Sequence, residues 1–143
     1  ENEVGDEGAR ALAEGLKANW SLKELHLKKN QIGAEGARAL AEGLEANRSL
    51  EVLDLQNNFV GNEGATALAE CLAVNRSLKV LRLHANRIGN EGASFLVGGL
   101  MANTCLEELS VQGNSIGREV LGALAATAQN SNGRLTVTFA LPP

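Results

Sequence analysis

The chain has 143 residues, 44% of them hydrophobic and 21% charged, with a formal net charge of −4. That balance fits one soluble globular domain with a sizeable core, and the acidic excess argues against a nucleic-acid surface, which needs clustered Lys and Arg. No apolar run approaches the ~20 residues of a membrane helix, and the opening E-N-E-V-G-D-E-G has neither the basic start nor the apolar stretch of a signal peptide.

Residues 1–20 already belong to a pattern that runs the length of the chain. Gly5, Gly33, Gly61, Gly89 and Gly117 stand 28 residues apart, as do Asn2, Asn30, Asn58, Asn86 and Asn114. Leu22, Leu50, Leu78 and Leu106 keep the same step, with Leu25, Leu53, Leu81 and Leu109, and then Leu27, Leu55, Leu83 and Val111. Such a period signals a solenoid of stacked units. The first unit, 1–20, is partial: it starts in mid-repeat, with no strand before its helix. This end therefore reads as cut from a longer parent, and self-association through it is one expected consequence.

Residues 21–48 form the first full repeat. Leu25 and Leu27 alternate with Glu24, His26 and Lys28, which is the two-residue period of a short strand. Ala37, Leu40, Ala41 and Leu44 fall at i, i+3, i+4 and i+7, the buried stripe of a helix. Glu35, Arg38, Glu42 and Glu45 occupy its wet face, where Arg38 and Glu42 are spaced to pair. Ala39 and Gly43 lie on a flank, small enough for the next repeat's helix to approach. Residues 49–76 and 77–104 repeat this plan. Parallel strands stack about 4.8 Å apart and helices about 8–10 Å, so the expected architecture is an α/β horseshoe with strands on the inner, concave wall and helices outside. The asparagines after each strand are expected to serve unpaired backbone groups.

The corners A-N-W-S-L, A-N-R-S-L and V-N-R-S-L match the pattern for N-linked sugar at Asn19, Asn47 and Asn75. A helix-to-strand turn explains them better: each Asn ends a helix, where a left-handed residue is expected. Trp20, alone in the corner column of Arg48, Arg76 and Thr104, either packs against a neighbouring repeat or stands as an exposed anchor. Phe95 replaces Ala11, Ala39 and Ala67 and is expected to fill space beside the slim last helix.

Residues 105–131 are a degenerate last repeat, with Val120 in the column of Gly8, Gly36, Gly64 and Gly92, and Ala128 in that of Leu16, Leu44, Leu72 and Leu100. Residues 132–143 then give one more strand, L-T-V-T-F, with Leu135, Val137 and Phe139 inward, closed by Pro142 and Pro143. This end reads as a cap, giving five helices and five strands in one domain.

The unit L-x-x-L-x-L-x-x-N-x-I-G-x-E-G-A-x-x-L-A resembles the leucine-rich repeat family, in its ribonuclease-inhibitor-like class. Within that class the uniform 28-residue Asn-type units and the N-R-S-L corner look most like the C-terminal repeats of the NOD-like receptors. Ribonuclease inhibitor alternates two repeat types and is cysteine-rich; this chain reads as neither. The resemblance implies a cytoplasmic, non-enzymatic recognition module, the ligand-sensing or autoregulatory part of a receptor. Ran GTPase-activating proteins carry a similar repeat class, although no motif selects them, and a purely structural scaffold is the remaining alternative.

Few residues offer chemistry. Cys71 and Cys105 sit in different columns, read as small buried residues, and are not placed to pair. His26 and His84 lie in different columns two strands apart, too far for a shared metal ion. The G-N-E-G turns lack the G-K-[ST] of a phosphate loop. No catalytic, cofactor or metal site is expected. The concave wall remains, with columns Glu24, Val52, Val80, Glu108; His26, Asp54, Arg82, Ser110, Thr138; and Lys28, Gln56, His84, Gln112. These vary in charge and size where the core columns do not. Glu24, His26, Lys28, Asp54, Gln56, Arg82, His84, Glu108, Ser110 and Gln112 are the candidate contacts for a protein or other macromolecular partner. Asp54 and Arg82 also have a plainer reading, as strand neighbours that satisfy each other.

Overall fold

A computed structural model of the protein describes residues 2–140. Helices and strands alternate throughout: α1 (Gly5–Ala18), β1 (Glu24–His26), α2 (Ala34–Ala46), β2 (Val52–Asp54), α3 (Gly61–Val74), β3 (Val80–Arg82), α4 (Asn90–Ala102), β4 (Glu108–Ser110), α5 (Arg118–Gln129) and β5 (Thr136–Thr138). The strands form one parallel sheet in chain order. Each pairs with the residue 28 positions on, as in Leu25 with Leu53 and Asp54 with Arg82. The sheet-facing leucines and the apolar helix stripe, Ala37, Leu40, Ala41 and Leu44 included, make one continuous core. Leu135 is buried, and Val137 and Phe139 pack half-buried against that core. Pro142 and Pro143 lie outside the described residues.

The strands are three residues long, so much of the backbone between strand and helix finds no ladder partner. Two stacks of asparagines supply the missing bonds. After the strands, Asn58 Oδ1 accepts the N–H groups of Asn30 and Ile32, while its Nδ2 donates to the carbonyls of Leu27 and Leu55. Asn86 and Asn114 repeat the scheme one and two turns on. One amide thus ties two repeats together and satisfies groups that burial would otherwise penalise.

The second stack stands at the corners and corrects the expected backbone. Asn19, Asn47 and Asn75 are extended, with φ of −97°, −83° and −70°, not left-handed. Asparagine is used there for its side chain. Asn47 Oδ1 accepts from the N–H groups of Ser49 and Leu50, and Nδ2 donates to the carbonyls of Leu16 and Asn19. Asn47 and Asn75 are fully buried, with their amides committed, so in the folded chain neither presents a sugar acceptor; Asn19 is exposed.

The helix starts show that the repeats are not uniform. Gly5 and Gly61 are left-handed, at φ 61° and 64°, and each gives its N–H to the carbonyl of Asn30 or Asn86. Gly33, Gly89 and Gly117 are extended, and their N–H groups are capped by side chains of the preceding helix: Asp6 Oδ1 takes Gly33 and Gly36, Asn62 takes Gly89 and Gly92, and Asn90 takes Gly117. A carboxylate at a helix N-terminus is also favoured by the dipole. The helix contacts alternate in the same sense. A Cβ on Gly43 would stand 2.8 Å from the Ala13 carbonyl oxygen, and one on Gly99 2.4 Å from that of Ala69, whereas α3 carries the Cys71 side chain in this column. Gly43 therefore serves the preceding helix, not the next one as its position suggested. Arg38 pairs with Glu35 at 3.9 Å in place of Glu42.

At the far end Arg134 substitutes for the corner asparagine. Its guanidinium donates to the carbonyls of Leu106 and Asn103, the latter at 3.2 Å. The Asn103 carbonyl is one that a further corner Asn would have taken, by the pattern of Asn103 on the Asn75 carbonyl.

Candidate functional site

The ten candidate residues come from the outward positions of β1–β4 and the second residue after each strand. Pleating sets their direction: Leu25, Leu53, Leu81 and Leu109 point into the core, so their neighbours point out. The observed register places Glu24, Val52, Val80 and Glu108 in one row and His26, Asp54, Arg82, Ser110 and Thr138 in the next, as the sequence columns require. Lys28, Gln56, His84 and Gln112 follow beyond the strand ends.

The second row sets the Asp54 carboxylate between the His26 ring and the Arg82 guanidinium. His26 Nε2 lies 3.0 Å from Glu24 Oε2, and its Nδ1 lies 3.9 Å from Asp54 Oδ2. Arg82 reaches Asp54 Oδ2 at 3.8 Å and Glu108 Oε1 at 3.6 Å. Asp54 is the focus, only 7% exposed in the middle of the wall. Its Oδ1 accepts the Gln56 N–H at 3.0 Å. The His26 ring and the Arg82 guanidinium both stand outside hydrogen-bonding range of Oδ2, so neither saturates the carboxylate. A second ladder lies at the strand starts, where Glu51 sits 3.7 Å from Lys23 and 3.9 Å from Lys79. These groups are well exposed, and such pairs contribute little to stability.

His84 is held below the usual histidine range, first by burial and then by the Lys28 and Arg82 charges, with Asp54 opposing. It faces Ser110 at 3.5 Å and is a neutral ring at neutral pH. Ser110 is buried, so its hydroxyl serves the wall more than its surface. Gln112 Oε1 is buried without a hydrogen-bond partner among the described residues. Glu24, His26 and Lys28 are exposed at the open edge of the wall, while Gln56, Arg82, His84 and Glu108 are half-buried.

No group of three or more His, Cys, Asp or Glu among the described residues is placed to hold a metal ion. Both thiols are free. Burial pushes the Cys71 thiol up to about 12, with Glu45 adding to the rise and Arg48 opposing it, so it stays protonated at neutral pH. Cys105 is half-buried, not buried as read from its column, with Sγ 3.5 Å from the Asn75 carbonyl oxygen. No helix among the described residues is long and apolar enough to cross a membrane.

The aromatic residues depart from expectation. Trp20 is 81% exposed, which rules out its packing on a neighbouring repeat. Phe95 does not sit beside α5; it is half exposed in a groove lined also by Phe59, Arg38 and Glu63. The Arg87 guanidinium lies 4.3 Å over the Phe59 ring. Phe59 was legible as a signal: it puts an aromatic where Gln31, Arg87 and Ser115 hold polar side chains, in a chain with three phenylalanines.

Comparison with known proteins bears on this geometry. The pattern of the Leucine Rich repeat family matches residues 1–13, 18–41, 46–69, 74–97 and 102–125. The chain belongs to the leucine-rich repeat family. Each of the last four matches spans a corner, a strand and the following helix start, the segment that carries the two asparagine stacks. Among solved structures, the leucine-rich repeat chain is similar to one described as Leiomodin-1 Actin-Binding Site 2 (ABS2), with 25% sequence identity, a TM-score of 0.78, and coverage of 90% of this chain and 73% of that one. In all, 64 solved chains match, so the repeat architecture is widely shared and does not by itself choose a partner. No curated protein matches the sequence.

Proposed function

We propose that this leucine-rich repeat chain is a non-catalytic recognition module that binds a protein partner through its concave wall. The observation that carries the reading is Asp54: a nearly buried carboxylate at the centre of the wall, flanked by His26 and Arg82 at 3.9 and 3.8 Å without a saturating bond to either. A partner's donor can complete its coordination, while Arg82 and Glu108 offer a second charged contact beside it. Strands fix these side chains in advance, which reduces the ordering cost of binding. The similar Leiomodin-1 structure is described as an actin-binding site, which supports a protein as ligand and makes actin the first purified partner to try. The sequence resemblance to NOD-like receptors extends the reading to the ligand-sensing part of a cytoplasmic receptor.

The test compares wild type with a variant carrying Asp54→Asn, Arg82→Gln and His84→Gln, which keeps a polar side chain at each position. Both are immobilised and offered purified actin and then a cytosolic extract. Partners of the wall should bind the variant at least ~30-fold more weakly, the size expected when a few central charged contacts are removed. If the folded variant holds every partner as tightly as wild type, the concave reading fails.

A further inference from the structure

We propose that the groove between Phe59 and Phe95, where the chain turns into α3 and α4, is a docking subsite for an arginine side chain of a protein partner. It uses none of the concave charges, and it stands or falls without them.

The argument begins with a charge pattern that two repeats break. α1 and α2 each carry a glutamate and an arginine at i and i+3, Glu7 with Arg10 and Glu35 with Arg38. In α2 the two side chains end 3.9 Å apart. α3 and α4 keep the glutamate, as Glu63 and Glu91, but the arginine becomes Thr66 and Ser94. Both hydroxyls turn back on their own helices, donating to the Asn62 and Asn90 carbonyls at 2.9 and 2.7 Å. Glu63 and Glu91 are exposed, and neither has an ion pair among the described residues.

The same two repeats gain aromatic rings at the same place. Phe59 stands where other repeats have Gln31, Arg87 and Ser115, and Phe95 where they have Ala11, Ala39, Ala67 and Ala123. The rings are 45% and 50% exposed. Neither is needed to close the core, since the other repeats close it with alanine or a polar side chain. Together with Glu63 and Glu91 they line a groove of about 640 Å³. The only cation among its described lining residues is Arg38, at the α2 side, which already has Glu35.

This chemistry selects the occupant. The face of an aromatic ring attracts a cation, two carboxylates without counter-ions attract one more strongly, and the apolar walls suit an aliphatic stem. A guanidinium meets all three demands: it is planar enough to stack, weakly hydrated, and donates in a fork to a carboxylate. The compact, strongly hydrated ammonium of lysine meets them less well. The chain itself holds one instance of the contact, the Arg87 guanidinium 4.3 Å over the Phe59 ring. Arg87 does not line the groove, so Phe95 and the two carboxylates are left for an arginine from outside. An acidic partner would meet two negative charges there against one positive.

The experiment titrates the full chain with N-acetyl-arginine amide and follows the ring signals of Phe59 and Phe95 by NMR. The comparison probes are the same derivatives of citrulline, which keeps the shape without the charge, of lysine and of leucine. The arginine probe should saturate the ring shifts with a Kd of roughly 1–10 mM, as suits a ligand of this size. Citrulline and leucine should bind at least about fivefold more weakly. Phe95→Ala, which restores the residue of the other repeats, should weaken arginine binding about threefold, and Glu63→Gln with Glu91→Gln by a similar factor, both with the fold intact. Reading the response at the rings keeps this test distinct from any contact at Asp54. Equal binding of arginine and citrulline overturns the proposal, as does tighter binding of lysine or leucine, or the absence of a saturable ring response. A concentration-dependent dimer that Phe95→Ala abolishes would also overturn it, because a second copy would then fill the groove.

Discussion

Replacing Asn58 with Ala is expected to destabilise the chain by about 4 kcal/mol, several times the cost of the same change at Asn30. The side chain of Asn58 accepts two buried N–H groups and donates to two buried carbonyls, all within 3.0 Å. Alanine strands three groups at once, the N–H groups of Asn30 and Ile32 and the Leu27 carbonyl, while the Leu55 carbonyl keeps the Asn86 amide; each buried, unpaired backbone group costs roughly 1–3 kcal/mol before water or relaxation offsets part of it. Asn30 donates to one carbonyl and holds an oxygen with no partner among the described residues, so truncating it removes about 1 kcal/mol. Urea unfolding of the two variants measures the difference, and the Asn58→Ala midpoint temperature should fall by roughly 10 °C or more. Equal losses at the two positions would mean that the asparagine stack does not carry the junctions between repeats.

The second large effect concerns glycine, and its sign depends on place. Gly99→Ala should cost about 3 kcal/mol, because the new Cβ would stand 2.4 Å from the Ala69 carbonyl oxygen and 3.0 Å from its carbon. Those are backbone atoms of α3, so α4 must move away as a whole and open the core beneath it. Gly43→Ala meets the Ala13 oxygen at 2.8 Å and should cost less. Gly122→Ala meets nothing within 4 Å in a helix and should stabilise by up to about 1 kcal/mol through propensity. The order Gly99, Gly43, Gly122, from most to least harmful, can be read from thermal melts. A neutral Gly99→Ala would show that α3 and α4 are not held by close backbone approach.

The architecture was legible because a solenoid writes each contact at a fixed step. A leucine that recurs every 28 residues must meet its own copies, so strand register, the core and the three concave columns all followed from one period. What escaped the sequence lies where one residue type serves two purposes. Asparagine favours both left-handed turns and buried side-chain bonding, and at Asn47 the second purpose decides. The capping of Gly33 and Gly36 by Asp6 joins groups 27 and 30 residues apart, which local helix rules do not reveal. The alternation of repeats rests on small differences, Gly43 and Gly99 against Cys71, whose meaning appears only once the helices are packed. Trp20 and Phe95 were judged by size, but size does not say whether a neighbour is there to cover them.

Within the candidate site the register follows the sequence columns, and burial along them is uneven. Asp54 and Ser110 are buried, while Glu24, His26 and Lys28 stand open at the edge. Depth depends on how neighbouring side chains lean over one another, and the sequence records only which face they share. Arg82 lies 3.8 Å from the Asp54 carboxylate on one side and His26 3.9 Å on the other, and these neighbours shelter it.

The most direct measurement of concave recognition is site-specific photo-crosslinking, with a photoreactive amino acid placed in turn at Gln56 on the wall and at Glu70 on the outer face of α3. Each labelled chain is irradiated with actin or with the partner captured from extract. The account predicts an adduct from Gln56 and none from Glu70. An adduct from Glu70 alone, with Gln56 silent, would place recognition on the helices and contradict it.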